Sequence, residues 1–339
     1  MNTFGRNFRC TTFGESHGKA LGVVIDGCPA GVSLVKEDIQ PLLDRRRPGQ
    51  SDLVSPRKEP DRVEILSGIF EDKTTGAPIA LVIGNSDTRS HDYKDLADVF
   101  RPGHADFTWQ EKFGIRDHRG GGRGSGRETV ARVAAGAVAM KILGTAGISV
   151  TSRVCEIHGR TTVTEMEEEI RAAKDTGDSV GGIVEIVARG CPSGLGDPVF
   201  GKLDAMIAGA MMGIGAVKGV EIGEGFGAAA LYGHENNDPM TSDGFLSNHA
   251  GGVLGGISTG ADIVVKIAVK PTPSISCDQQ TITTDGDSRT ISIHGRHDPC
   301  IVPRIAPVAE SMLALIIVDA LLEQAKYIGF SRYLMHRRN

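Results

Sequence analysis

The chain has 339 residues, 40% of them hydrophobic and 23% charged, and 37 Lys and Arg against 42 Asp and Glu give a formal net charge of −5. That balance excludes a disordered polymer, and it excludes a global positive field for nucleic acid or anionic lipid, so any basic site is local. Glycine, at 45 residues, is nearly twice its usual share of about 7% and has no period, which excludes collagen; one Trp and four Tyr argue against a stacking platform for single strands.

In chain order, Met1 to Arg6 lacks the apolar core of a secretory signal. The apolar run Gly22–Asp26 leads into the turn Gly27-Cys28-Pro29-Ala30-Gly31, and Ile39, Leu42 and Leu43 space a helix over Lys36–Asp44. Strands follow at Val63-Glu64-Ile65 and Ile79–Ile83. From Asn85 to Gly126 neither period holds, yet Arg89, His91, Arg101, His104, Arg116, His118, Arg119 and Arg123 fall there, which marks a site-forming segment. A Gly- and Ala-rich helix is predicted over Arg127–Leu143, a strand over Ile148–Ile157, and an exposed helix over Val163–Lys174 with acids at its start. Ile183–Val187 then runs into Gly190-Cys191-Pro192-Ser193-Gly194, followed by helical spacing at Leu203, Met206, Ile207 and Met211 and a strand at Val220-Glu221-Ile222. A strand at Ile263–Val269 and a long helix over Ile305–Lys326, broken at Pro307, complete the series.

The two Gly-Cys-Pro-x-Gly turns begin 163 residues apart and the two Val-Glu-Ile strands 157 apart, in the same order. This predicts a duplicated strand–turn–helix–strand unit, the alternative being recurrence of common turn chemistry. Strands alternating with helices mean an α/β or α+β layered fold. The longest apolar stretch, Met312–Val318 between Glu310 and Asp319, is far below the roughly 20 residues of a membrane span. Six scattered cysteines without a C-x-x-C read as buried thiols in a reduced, cytoplasmic protein.

The run Arg119-Gly120-Gly121-Gly122-Arg123-Gly124-Ser125-Gly126-Arg127 leads straight into a predicted helix. Free backbone N–H groups at a helix N-terminus and guanidinium groups that grip phosphate in pairs make it a candidate anion site. A plain glycine hinge is the structural alternative. Arg45-Arg46-Arg47-Pro48-Gly49 is a second basic cluster, which taken alone reads as a solvated helix C-terminal cap. His17 and His104 sit in glycine-flanked loops, where imidazole is either a proton donor near pH 7 or a surface group. His294 and His297 are spaced H-x-x-H without a third ligand, so no metal is expected. Gly223-Glu224-Gly225-Phe226-Gly227-Ala228 fits a relaxed G-x-G-x-x-A and keeps a nicotinamide oxidoreductase open as an alternative; a non-catalytic anion binder is another.

Seven motifs taken together carry a resemblance: Gly14-Glu15-Ser16-His17-Gly18, Asp44 to Gly49, Arg101-Pro102-Gly103-His104-Ala105-Asp106, Arg119 to Arg127, Ser247 to Gly252, Lys270-Pro271-Thr272-Pro273-Ser274 and Gly295-Arg296-His297-Asp298-Pro299-Cys300. In order and over nearly the whole chain, they resemble the chorismate synthase family. The resemblance implies an α+β fold, a β-α-β sandwich with an internal pseudo-two-fold duplication, one domain whose halves are roughly 1–145 and 146–339, and a homotetramer. It also implies a lyase that converts 5-enolpyruvylshikimate 3-phosphate to chorismate and phosphate by 1,4-anti elimination, at the last step of the shikimate pathway. Such an enzyme requires reduced FMN without net redox change.

By motif match, His17 resembles the acid that protonates departing phosphate, His104 the group near flavin N1, and Asp298 the carboxylate at flavin N5. Ser16 and Ser125 resemble the associated relay. Arg46, Arg119, Arg123 and Arg127 are candidates for the substrate's anionic groups. Flavin contacts fall at Arg123, Gly124, Ser125, Gly215, Ala216, Gly255, Lys270, Pro271, Thr272, Pro273, Ser274 and Arg296. The chain departs from the family pattern where Gln50-Ser51-Asp52 replace a frequent basic residue, which weakens contact with NADPH, and where a shorter glycine-loop side-chain set reads Gly124-Ser125-Gly126. A shortened region after Gly159 and no large insertion suit a monofunctional enzyme whose flavin is reduced externally, by a partner flavin reductase, with NADPH acting only indirectly. No nucleic-acid or membrane partner is expected.

Overall fold

Residues 1–49, 59–86, 96–293 and 297–336 are described in the computed structural model. The N-terminal half builds strands β1 (Thr3–Phe4), β2 (Arg9–Gly14) and β3 (Ala20–Asp26), helix α1 (Lys36–Arg46), and strands β4 (Val63–Ile65) and β5 (Ile79–Gly84). Helices α2 (Asp106–Phe113) and α3 (Thr129–Thr145) follow. The second half begins with β6 (Ser149–Ile157) and α4 (Val163–Thr176), then β7 (Gly182–Arg189), α5 (Leu203–Met212), β8 (Val217–Ile222) and β9 (Ile263–Val269). It ends in the long helix α6 (Val302–His336).

Two antiparallel sheets result, ordered β1-β2-β3-β5-β4 and β6-β7-β9-β8. Leaving β1 aside, the second repeats the first position by position. The hairpin β2–β3 answers β6–β7, α1 answers α5, β4 and β5 answer β8 and β9, and α3 answers α6. The Gly-Cys-Pro turns leave the ends of β3 and β7, so the echo in the sequence is a duplication in the fold.

Alternation along the strands turns Leu21, Val23 and Ile25 of β3 and Ile263, Val265, Ile267 and Val269 of β9 inward, all buried. Helices α3 and α6 fill the layer between the sheets and pack against each other. A helix covered on every side shows no amphipathic stripe, which is why α3 is apolar nearly all round. Its Gly136 is a close approach: a Cβ there would lie 2.3 Å from Cβ and 2.6 Å from Cα of Ser311 on α6.

Three expectations are corrected. Helix α6 is not broken at Pro307 but begins at Val302 and runs through it, because a proline this near the N-terminus removes one early hydrogen bond. Val302–Gly329 is also long and apolar enough to cross a membrane by length and composition, since Glu310 and Asp319 interrupt it so sparsely; 89% of an apolar eighteen-residue stretch of it is buried inside the protein. Finally, the segment from Asn85 contains a helix, α2, which the periodicity hides because α2 buries only Asp106.

Both polar interruptions of α6 are used. Glu310, 2% exposed, pairs with Arg45 at 2.7 and 2.8 Å and accepts a bond from Ser152. Asp319 receives the backbone N–H groups of Arg6, Asn7 and Phe8, tying the start of the chain to its last helix. Of the six free thiols, Cys10, Cys28, Cys191 and Cys300 are buried and Cys155 and Cys277 half-buried. Burial pushes Cys10 up to about 12, far from reactivity.

Candidate active site

The glycine strap before α3 threads between two imidazoles. Gly120 and Gly121 have φ of +65° and +82°, a conformation that side chains resist. A Cβ on Gly120 would sit 2.7 Å from His17 Cδ2 and 3.1 Å from Ser16 Oγ, and one on Gly121 2.7 Å from His104 Cε1. Farther along, a Cβ on Gly124 would meet Trp109 Nε1 at 3.3 Å. The strap is glycine because each position borders a side chain of the site.

A cavity of about 470 Å³ opens beside the strap. One wall is the strap itself, Arg123 to Arg127, together with Gly120 and His104. It is lined as well by Gly215, Ala216, Lys270, Thr272, Pro273 and Ser274, two stretches joined by the Lys270 N–H bond to the Ala216 carbonyl at 2.9 Å. Its floor holds Arg46, Arg132, His297, Asp298 and Arg304. Among the predicted site residues, Pro271 and Gly255 do not line it, and Gly255 is exposed on a hairpin turn. Arg119 borders a neighbouring cavity of about 700 Å³, where it pairs with Asp117. His17 and Ser16 touch it only through Gly120. Arg89, His91, Gln50–Asp52, His294 and Arg296 lie outside the described residues.

The arginines have more partners than sequence reasoning suggests. Arg46, 1% exposed, and Arg127 both pair with the buried carboxylate of Asp61, Arg46 at 2.5 Å. Burial pushes the Asp61 carboxyl up, but the two guanidinium groups outweigh it and hold it below the usual range. Arg127 also lies 3.8 Å from buried Glu59 and donates to Asn85. Arg46 Nε is buried with no hydrogen-bond partner among the described residues, a donor suited to an anion. Arg123 donates to the Gly14 carbonyl, Asn2 and Thr12, bracing the strap on β2. Ser125 accepts the Arg127 N–H, so it caps the turn entering α3.

Asp298 is paired with Arg304, and Arg304 Nε donates to the Arg46 carbonyl at 3.1 Å, linking the floor to the end of α1. Neither Arg304 nor Asp61 carries a sequence signal: each reads as an ordinary charge until the fold brings it to its partner. His297, which lies in the motif Gly295 to Cys300 and was given no role there, has a buried Nε2 without a partner among the described residues; burial and Arg101 push its pKa down. Arg101 and Asp106 were visible in Arg101-Pro102-Gly103-His104-Ala105-Asp106, an acid two residues after a histidine, and they form a buried pair at 2.7 Å.

The relaxed dinucleotide motif does not form a Rossmann turn. After Gly223 come a short 3₁₀ turn over Gly225–Ala230 and a four-residue helix, Gly233–Asn236, with no long helix to receive a pyrophosphate.

A family model described as chorismate synthase matches residues 8–322. The chain belongs to the chorismate synthase family. A relative named chorismate synthase from Syntrophobacter fumaroxidans is 58% identical, covering 96% of this chain and 98% of that protein. One from Syntrophus aciditrophicus is 52% identical over 95% of this chain and 98% of its own length. A crystal structure of a chorismate synthase superposes with a TM-score of 0.76 at 32% identity, covering 98% of this chain and 99% of that one. The chain is therefore an enzyme, a lyase of the last shikimate-pathway step, on the α+β sandwich of that family.

Proposed function

We propose that the enzyme eliminates phosphate from 5-enolpyruvylshikimate 3-phosphate in the 1,4-anti sense, giving chorismate and phosphate, with reduced FMN required but not consumed. The observation that supports the reading is the strap: Gly121 borders His104, which lines a cavity shared with Arg46, Arg127, Arg132 and Arg304, and Gly120, which lines the same cavity, borders His17. A substrate with two carboxylates and a phosphate, and phosphate as leaving group, need that combination of cations and a proton donor.

The cavity fits a flavin. Gly124 and Trp109 line it together, Lys270 and the turn entering α3 offer cationic and N–H donors, and His297 Nε2 is a buried group without a partner among the described residues. Arg123 to Ser125, Gly215, Ala216 and Lys270 to Ser274 would hold it. When bound, reduced flavin supplies electron density to the substrate as phosphate leaves and regains it afterwards. His17, with Ser16 beside it, gives a proton to the departing phosphate. Arg46 Nε, Arg127, Arg132 and Arg304 hold the anionic groups, so the C–O bond breaks toward positive charge. Asp298, which lines the cavity and is kept in place by Arg304, acts there as a proton acceptor.

In a homotetramer a neighbouring copy can present Gly255, which is not part of this cavity. The protein works in the cytoplasm and takes its reduced flavin from an external reductase. Anaerobic mixing with dithionite-reduced FMN and 5-enolpyruvylshikimate 3-phosphate tests the reading. Chorismate and phosphate in equal amounts, only with reduced flavin, are expected. No product together with no flavin binding overturns it, and rapid turnover driven by NADPH alone overturns the external reductase.

A further inference from the structure

We propose that Asp106 is a positioning residue for the reaction: it fixes His104 as the Nδ1–H tautomer, so that Nε2 is the ring atom presented to the strap and the ligand. The inference rests on the functional reading above for its consequence, but not for its geometry.

Asp106 opens helix α2 and is the one residue that α2 buries. Its Oδ2 accepts from Arg101 Nε at 2.7 Å and from the Arg101 backbone N–H at 3.2 Å. Its Oδ1 accepts from Arg101 Nη2 at 2.9 Å and lies 2.9 Å from His104 Nδ1. Arg101 grips both oxygens, so the carboxylate cannot rotate away from the ring. Arg116, stacked on Phe100, adds a second cation 3.8 Å from Oδ1.

Two groups approach His104 Nδ1, and they ask for opposite tautomers. Arg101 Nη2, at 3.1 Å, can only donate and would need a bare nitrogen. The carboxylate can only accept and needs Nδ1–H. Two considerations decide for the carboxylate. It is the nearer group, and its proximity to a bare nitrogen would set two lone pairs against each other. The Arg101 Nη2 donor, moreover, is already bonded to the same Oδ1. Burial raises the Asp106 carboxyl, but Arg101 and His104 hold it well below the usual range, so it stays ionised. With Nδ1 committed, Nε2 lies next to Gly121, where a Cβ would be 3.1 Å away.

The charged groups facing the ring are Arg101 and Asp106 from its own turn and Lys270, whose Nζ donates to the Gly103 carbonyl at 2.8 Å. Burial, Arg101 and Lys270 favour neutral imidazole and Asp106 opposes them; the balance lies below the ordinary histidine value. In the ligand-free protein His104 thus offers a lone pair at Nε2, and an anionic ligand there draws a proton onto it.

Nitrogen-15 NMR of histidine-labelled, ligand-free enzyme tests this, with the His104 signals assigned by their loss in His104→Asn. Above its titration, His104 should show the Nδ1–H pattern. The Nε2–H pattern in the wild-type protein overturns the proposal, whether or not any variant folds. In Asp106→Asn, the His104 pKa should fall, Nε2–H should gain population, and turnover should drop by roughly 10²–10⁴-fold with the pH profile shifted to lower pH. Asp106→Glu should restore part of both. Loss of turnover in Asp106→Asn with the tautomer and pH profile unchanged would mean a structural role only, and overturns it. Because the NMR reading needs no substrate, a protein that makes no chorismate yet shows Nδ1–H refutes the function and not this assignment.

Discussion

A single carboxylate, Asp61, holds two guanidinium groups of the cavity wall, and neither it nor Arg46 is open to water. Removing one member of a buried ionic set leaves the others uncompensated, at a cost of about 3–5 kcal/mol. Asp61→Asn should therefore lower the denaturant midpoint strongly, and loosen substrate binding where any folded enzyme remains. The strap makes a different demand. Gly120→Ala forces a Cβ onto His17 at a backbone angle that alanine resists, and a displacement near 1 Å at a catalytic group costs about 10²-fold. Turnover should fall by that order while the unfolding temperature changes far less. The motifs made His17, His104, Arg46 and Arg127 legible because each sits beside glycine or another arginine. Asp61 was not legible, since it carries no local pattern and meets Arg127 across 66 positions of sequence.

Among the elements, α3 and α6 show what a buried helix asks of glycine. Gly136→Ala should gain helix propensity and lose more to the Ser311 backbone, a net destabilisation of roughly 1–3 kcal/mol from overpacking. Gly144→Ala, near the end of the same helix with nothing within 4 Å, should leave stability unchanged or slightly raised. Equal chemical-denaturation midpoints for the two variants would contradict this account. Seven of the nine strands of the two sheets were readable as short apolar or alternating runs, whereas β1 and β2 were missed because Thr3-Phe4 and Arg9–Gly14 carry too few apolar residues to show one. Helix α2 was not, because it buries only Asp106: its sequence codes a site rather than a core face. Pro307 misled for a similar reason, since local punctuation weighs less than the burial of everything around it.

At the scale of the molecule, the carboxylates of Asp61 and Asp106 link folding to pH. Both are held below their ordinary values, so both contribute stability above the unfolded carboxyl pKa of about 3.9 and lose it as pH falls through their folded values. The midpoint of unfolding by urea should be flat near neutrality and drop steeply below about pH 4. Asp61→Asn should flatten that acid limb. The duplication was legible as two turns and two strands; its continuation into β5, α3, β9 and α6 was not, because those segments share topology without shared residues.

The bonds from Arg6, Asn7 and Phe8 to Asp319 span more than three hundred residues. A ribosome adding about 5–20 residues per second needs about 15–60 s to travel between those positions. Until α6 emerges, the N-terminal sheet lacks its tether and α3, which covers that sheet, lacks the helix it packs against, so the nascent chain spends most of its synthesis with an apolar helix face uncovered. Maturation of this enzyme is thus a post-translational event, and the interval before it is where a holding chaperone would act.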